Sequence, residues 1–212
     1  ATAGAAGYSQ EQLEGMASSL QATTVYSDEA IMAGQAKLLT YKSVAGDVFN
    51  RAMKAATDLS AVGFGSVESA SNMLGKALEN PAKGLTALTR VGVTFSNAQR
   101  DQILKLTKSG ELMKAQGIIM AAVEGQVGGT AEAIAATDTG QLKVMANQMD
   151  DLKEKIGKAF LPFAVTMAKV KLWAMEAFTK IVAWASVMYQ NMDKVWEIMK
   201  LSAAIQISRI MG

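Results

Sequence analysis

"GFGSVESASNMLGKALENPAKGLTALTRVGV", residues 63–93, decides the fold class. Its helix-forming residues are cut at short intervals by Gly or Pro. Ser66 opens a helix to about Glu79, whose apolar face (Val67, Ala70, Met73, Leu74, Ala77, Leu78) recurs by threes and fours. Asn80-Pro81 ends it, because a residue before Pro avoids the α region. A second helix over about Ala82 to Val91 turns Leu85, Leu88 and Val91 inward, with Gly92 as its cap. Nothing in the stretch is a strong nucleophile or a metal ligand, so its product is a shape: short helices with specified corners.

The same punctuation continues on both sides. Ser9 to Gln12 reads as a capping box, and Ser96 with Gln99 as another, opening a helix to Lys108 with Gly110 after it. Ser27 precedes Asp28 and Glu29, two carboxylates placed where the helix dipole favours them. A helix starting at Asp47 stops at Gly63, and "ELMKAQGIIMAAVEG" forms the next after Gly110. Gly128-Gly129 reads as a flexible joint, followed by Thr130 as an N-cap. With only two prolines and no β-branched runs beyond the short "VGVTF", the expectation is an all-α protein.

Beyond about residue 130 the punctuation nearly vanishes. Apolar residues recur at Leu142, Met145, Met149, Leu152, Ile156, Phe160, Phe163, Met167, Val170, Ala174, Phe178, Ile181, Ala185, Met188, Met192, Val195 and Met199. Their mean spacing of about 3.56 lies between the coiled-coil repeat and the free-helix value. The expected architecture is a short-helix bundle domain over 1–130, then a long amphipathic helical segment over 131–212 with a coiled-coil-like self-association seam. Pro162 is expected to kink or break that segment, in the first turn of a second helix. All three Trp and eight of the fourteen Met lie beyond residue 140, and Trp173 and Trp184 share a face. Such a seam needs the N-terminal helices, a hairpin partner or another copy of the chain.

Composition removes several chemistries. The 212 residues include no Cys and no His, so disulfides, thiol nucleophiles, imidazole bases and the usual zinc ligands are absent. The net charge of +2 gives no argument for specific nucleic-acid binding. Residues 1–140 carry 11 basic and 13 acidic side chains, residues 141–212 carry 10 and 6, so the second part is mildly basic. The start of the sequence has no basic-apolar leader and no Met, which fits an internal or processed piece of a longer protein. The uncharged run Ile181 to Met192 is far short of the roughly 20 residues a membrane span requires.

Carboxylate pairs occur at Glu11/Glu14, Asp28-Glu29 and Asp150-Asp151, each with an ordinary surface or helix-end explanation. Glu154 with Lys158 is a surface i,i+4 pair, and Arg100-Asp101 reads as capping and surface charge. "GSVESASNMLGK" lacks the spacing and the preceding strand of a phosphate loop. No catalytic, cofactor-binding or metal-binding residue is assigned.

"TYKSV", "ATDLSA", "MLGKALENPAKGLTALTRVGVTFSNAQ" and "LKEKIGKAFLP", in this order and spacing, resemble the conserved region of tape-measure proteins of long-tailed bacteriophages and prophages. The resemblance covers roughly residues 25–162. Positions matching the family pattern are structural: Gly63, Gly65, Gly75, Pro81, Gly84, Gly92 and Pro162, all but Gly75 read as helix breaks. The resemblance implies a protein lying in a few copies inside the tail tube, whose length sets the number of tube rings and which leaves ahead of the genome. It implies a homo-oligomer (a trimer by family symmetry), contacts with tail-tube and tail-tip proteins, and contact with the host membrane on ejection. It also implies that the chain is one region of a longer protein. Some relatives carry peptidoglycan-cleaving domains; no signature of one is present here. The alternative is a membrane-active helical protein inserted into the host envelope, and a carboxylate-based hydrolase ranks last.

Overall fold

The computed structural model describes residues 6–211, with side chains through Arg209. Among these residues there are ten α-helices and no strand: α1 (Gln10–Thr23), α2 (Asp28–Leu38), α3 (Gly46–Ala61), α4 (Val67–Glu79), α5 (Pro81–Arg90), α6 (Asn97–Lys108), α7 (Leu112–Val127), α8 (Thr130–Ala135), α9 (Asp138–Gln190) and α10 (Met192–Met211). The protein is all-α. It divides into two units after Leu152.

The first unit is built around α3 and α4. The apolar threes and fours of α3 bury Phe49, Ala52, Met53, Ala56 and Leu59, and those of α4 bury Val67, Ala70, Leu74, Ala77 and Leu78. α2, α5 and α7 pack around this pair, α1 covers α2, and α6 lies on α7. Each large aliphatic or aromatic side chain so buried stabilises the unit by about 1.5–3 kcal/mol. Buried amides tie the layers: Gln35 Nε2 donates to the Leu13 carbonyl at 2.9 Å, and Gln116 Nε2 donates to those of Ser43 and Leu78 at 3.0 and 3.1 Å. Among the described residues, no buried side-chain polar atom lacks a hydrogen-bond partner.

The corners of residues 63–93 form as the sequence dictates, with one exception. Ser66 caps α4 through the Ser69 N–H, and Pro81 occupies the first turn of α5. Gly63, Gly65 and Gly92 have φ of 96°, 88° and 97°, backbone that other residues rarely adopt. Gly84 is no helix break: it is buried inside α5, where a Cβ would overlap the backbone of Ala77 in α4. Its lack of a side chain lets the two helices touch.

The first unit runs past residue 130. Ala131, Ala135 and Gly140 are buried, and α9 is attached to the helices before it as far as Asp151. In the second unit, Pro162 neither ends nor starts a helix; α9 runs through it from Asp138 to Gln190. Proline deletes a single backbone donor, and the turns on either side of it are intact. The interruption falls at Asn191 instead. There the backbone N–H is shared between the Val187 and Met188 carbonyls, while Nδ2 donates to Val187 O at 2.8 Å. A short amide that competes for helix carbonyls is a physical reason for the break.

Candidate functional site

Two features bear on function: a cleft bordered by charged residues in the first unit and the uncovered apolar side chains of α9 and α10. The cleft, about 440 Å³, lies between α3, α7 and the turn into α8. Arg51 donates from Nε and Nη2 to the two carboxylate oxygens of Glu124 at 2.8 and 2.7 Å, a bidentate pair. That carboxylate raises the guanidinium's pKa further. Lys54 pairs with Glu132 at 2.9 Å. Asp58 accepts from the Gly129 and Ala131 N–H groups at 3.1 and 2.9 Å. Burial pushes the Asp58 carboxyl above its ordinary value, although both N–H groups and Lys54 pull the other way.

This constellation works as a clasp. Every charged side chain lining the cleft is engaged with another part of the same unit. Thr130 is not the N-cap of α8: Gly129 holds that position with φ of 79°, and the Thr130 hydroxyl turns back to the Val127 carbonyl. Asp58 caps the helix from α3 instead. Sequence reasoning missed Asp58 because its partners lie 71 and 73 residues away, and no local pattern announces such a cap.

The acidic pairs read separately in the sequence are brought together in part. Gln21 Nε2 donates to Asp151 at 2.9 Å, and Asn147 Nδ2 donates to the Val25 carbonyl at 3.2 Å. These bonds set Asp150-Asp151 of α9 beside Asp28-Glu29 of α2. Glu11 belongs to the first turn of α1, and Glu14 Oε1 accepts from Gln10. Among the described residues, no group of three or more carboxylates is arranged to hold a metal ion.

The start of α9 meets the first unit through Gly140, Val144, Asn147 and Asp151, which are buried or half-buried and recur by threes and fours. Leu142, Met149 and Leu152 point elsewhere and are 49–68% exposed, while Met145, also exposed, borders a shallow pocket with Ala22 and Ala135. The helix therefore docks by its more polar side, and the seam does not face the neighbouring helices.

In the second unit Ile156, Phe160, Phe163, Met167, Val170, Phe178, Ile181, Met188, Met192 and Val195 are all exposed. So are Leu161, Leu172, Trp173, Trp184 and Tyr189, which lie off the seam. Lys158, Lys169, Glu176 and Lys180 follow one another at 11, 7 and 4 residues and form one charged stripe on α9. Lys158 and Lys180 pair with Glu154 and Glu176 within the same helix. The apolar surface is thus broader than a two-position seam, although Lys171, two residues from Lys169, lies outside that stripe. No helix among the described residues is long and apolar enough to cross a membrane.

Comparison of the chain with protein-family models, curated proteins and solved structures returns no match.

Proposed function

We propose that this chain is a structural part of a phage tail, a region of a tape-measure protein that acts inside the tail tube by self-association and serves tail length determination, tail assembly and genome delivery. The observation that carries the reading is the apolar surface left uncovered along α9 and α10. Each large side chain of that surface gains about 1.5–3 kcal/mol on full burial. Burying a handful of them offsets the roughly 4–15 kcal/mol cost of association. The resemblance of residues 25–162 to the tape-measure family supplies the setting. The role is non-enzymatic in this reading, with the clasp at Asp58 shaping the domain that adjoins a longer rod.

Two measurements test it. Proteomics of purified particles encoded by the same genome is expected to recover α3–α7 peptides in the tail, in far fewer copies than the tube subunit. Their absence from particles overturns the tail assignment. Sedimentation of the full chain is expected to show a concentration-dependent oligomer; a monomer at all concentrations overturns self-association. Exposed Trp173, Trp184 and Tyr189 favour a second reading, a helix that lies on the host membrane during ejection. Tryptophan emission that shifts to the blue with anionic vesicles supports it, and an unchanged spectrum removes it.

A further inference from the structure

The contiguous apolar core of the first unit ends in α7, at Val123 and the partly buried Val127. Past Gly128-Gly129 the packing changes character. From residue 130 to residue 152 the buried residues are Ala131, Ala135 and Gly140, which bring two methyl groups between them. Two methyls contribute far less than the Leu, Ile, Met and Phe side chains that join the helices before them. α8 and the start of α9 are therefore held to α1–α7 chiefly by polar bonds.

The strongest of these come from one face of α3, where Arg51, Lys54 and Asp58 follow at three and four residues. Arg51 grips Glu124 ahead of the glycine joint, and Lys54 meets Glu132 beyond it at 2.9 Å. Both side chains of the Lys54–Glu132 pair are about half exposed, and such a pair adds little. Asp58 is 2% exposed and takes the Gly129 and Ala131 N–H groups, so it is the main fastening across the joint. Gly129, at φ of 79°, has no side chain to keep it from other backbone conformations. Farther along, Gln21 to Asp151 and Asn147 to the Val25 carbonyl add one hydrogen bond each.

The corner from α8 into α9 is self-contained by contrast. The Thr137 hydroxyl donates to the Ile134 carbonyl at 2.7 Å and accepts from the Gly140 N–H at 3.1 Å. Gly140 lies so close to the Ile134 carbonyl that a Cβ would overlap it. None of these contacts needs α1–α7.

We propose that Gly128-Gly129 is a hinge latched by Asp58, about which α8 and the start of α9 swing off α1–α7 together while the core stays folded. Opening exposes little apolar surface and leaves the α8–α9 corner intact, which puts it at the low end of the unit's local stabilities. The hinge belongs to the first unit alone and stands whether or not the chain self-associates.

The chain lacks Cys, so single thiols report on opening without background. Ala131→Cys and Ala135→Cys place one on the docked face of α8, and Ala70→Cys places one in α4, where the residue is fully buried. In the full chain, labelling by dithionitrobenzoate is expected to be at least about tenfold faster at 131 and 135 than at 70. Adding Asp58→Ala is expected to speed labelling at 131 and 135 by a further tenfold or so, equally at both, and to leave 70 unchanged. Gly129→Ala, which keeps Asp58 but disfavours the closed backbone, is expected to act in the same direction. Labelling at 131 and 135 no faster than at 70 overturns the proposal without relying on either added substitution. An equal rise at all three positions with Asp58→Ala also overturns it, because the carboxylate would then act only on global stability. Unequal gains at 131 and 135 would show fraying of α8 in place of a swing, and overturn it as well.

Discussion

α3 and α9 carry the same kind of message and meet opposite fates. Both are interrupted by no helix cap, and both repeat Ala, Met and Phe by threes and fours. α3 buries eight of its sixteen residues, whereas α9 buries only Gly140 of its fifty-three. The difference is the presence of partners. α3 is surrounded by α4, α7 and α8 from the same chain, while α9 turns its less apolar side to the one set of helices it touches. Periodicity says that a face wants cover; it does not say where the cover comes from.

The largest test of that contrast is Phe49→Ala. Phe49 is fully buried and stacks at 5.5 Å, tilted, on Tyr8. The substitution is expected to cost about 3–5 kcal/mol of first-unit stability. Chemical denaturation followed by circular dichroism measures it, and a loss below about 1 kcal/mol would contradict the core drawn here.

Gly84→Val is the next in size. The side chain must push α5 off α4, with an expected cost of about 1–3 kcal/mol or more. Stability unchanged by this substitution would mean that the α4–α5 contact is looser than the geometry implies.

Asp58 tests the clasp and gives it a pH signature. Asp58→Ala leaves the Gly129 and Ala131 N–H groups without their acceptor, at about 1–3 kcal/mol. The raised carboxyl has a separate consequence. The folded state holds that proton more tightly than the unfolded chain, so this group's contribution is greatest below the ordinary carboxylate range. It falls as pH rises through the raised value. Denaturation midpoints across the acid range are expected to show this component in the natural sequence and to lack it in Asp58→Asn.

How much of this was legible in the sequence follows from range. The capping boxes at Ser9/Gln12 and Ser96/Gln99 form as read, because both bonds of each box close within three residues. Pro81 also behaves as expected, since its constraint acts on its immediate neighbour. The cap of α8 was misread because its acceptor comes from α3. Gly84 was misread as a corner because its role depends on where Ala77 lies in space. Pro162 was overweighted: one lost hydrogen bond does not end a helix whose flanking turns are well formed, and Asn191 carried the interruption instead. The repeat from Leu142 to Val195 was legible as the periodicity of a helix face that wants cover. That it turns away from the first unit was not, because Gly140, Val144, Asn147 and Asp151 show no apolar pattern of their own.

The smallest stability effect is the most discriminating one. Phe178 is 66% exposed in α9, so Phe178→Ala removes no buried contact within the chain. The folding stability of the first unit is expected to move by no more than about 0.5 kcal/mol, as for ordinary surface substitutions. Self-association should respond quite differently. If Phe178 is covered by another copy, truncating it is expected to weaken the oligomer by more than about 1 kcal/mol per buried side chain, read as a shift in the sedimentation midpoint. The pairing of a silent melt with a shifted midpoint is the outcome that separates a face awaiting a partner from one that merely tolerates water. A melt and a midpoint that both stay fixed would place the partner elsewhere on the helix, and Trp173 and Trp184 are then the positions to truncate.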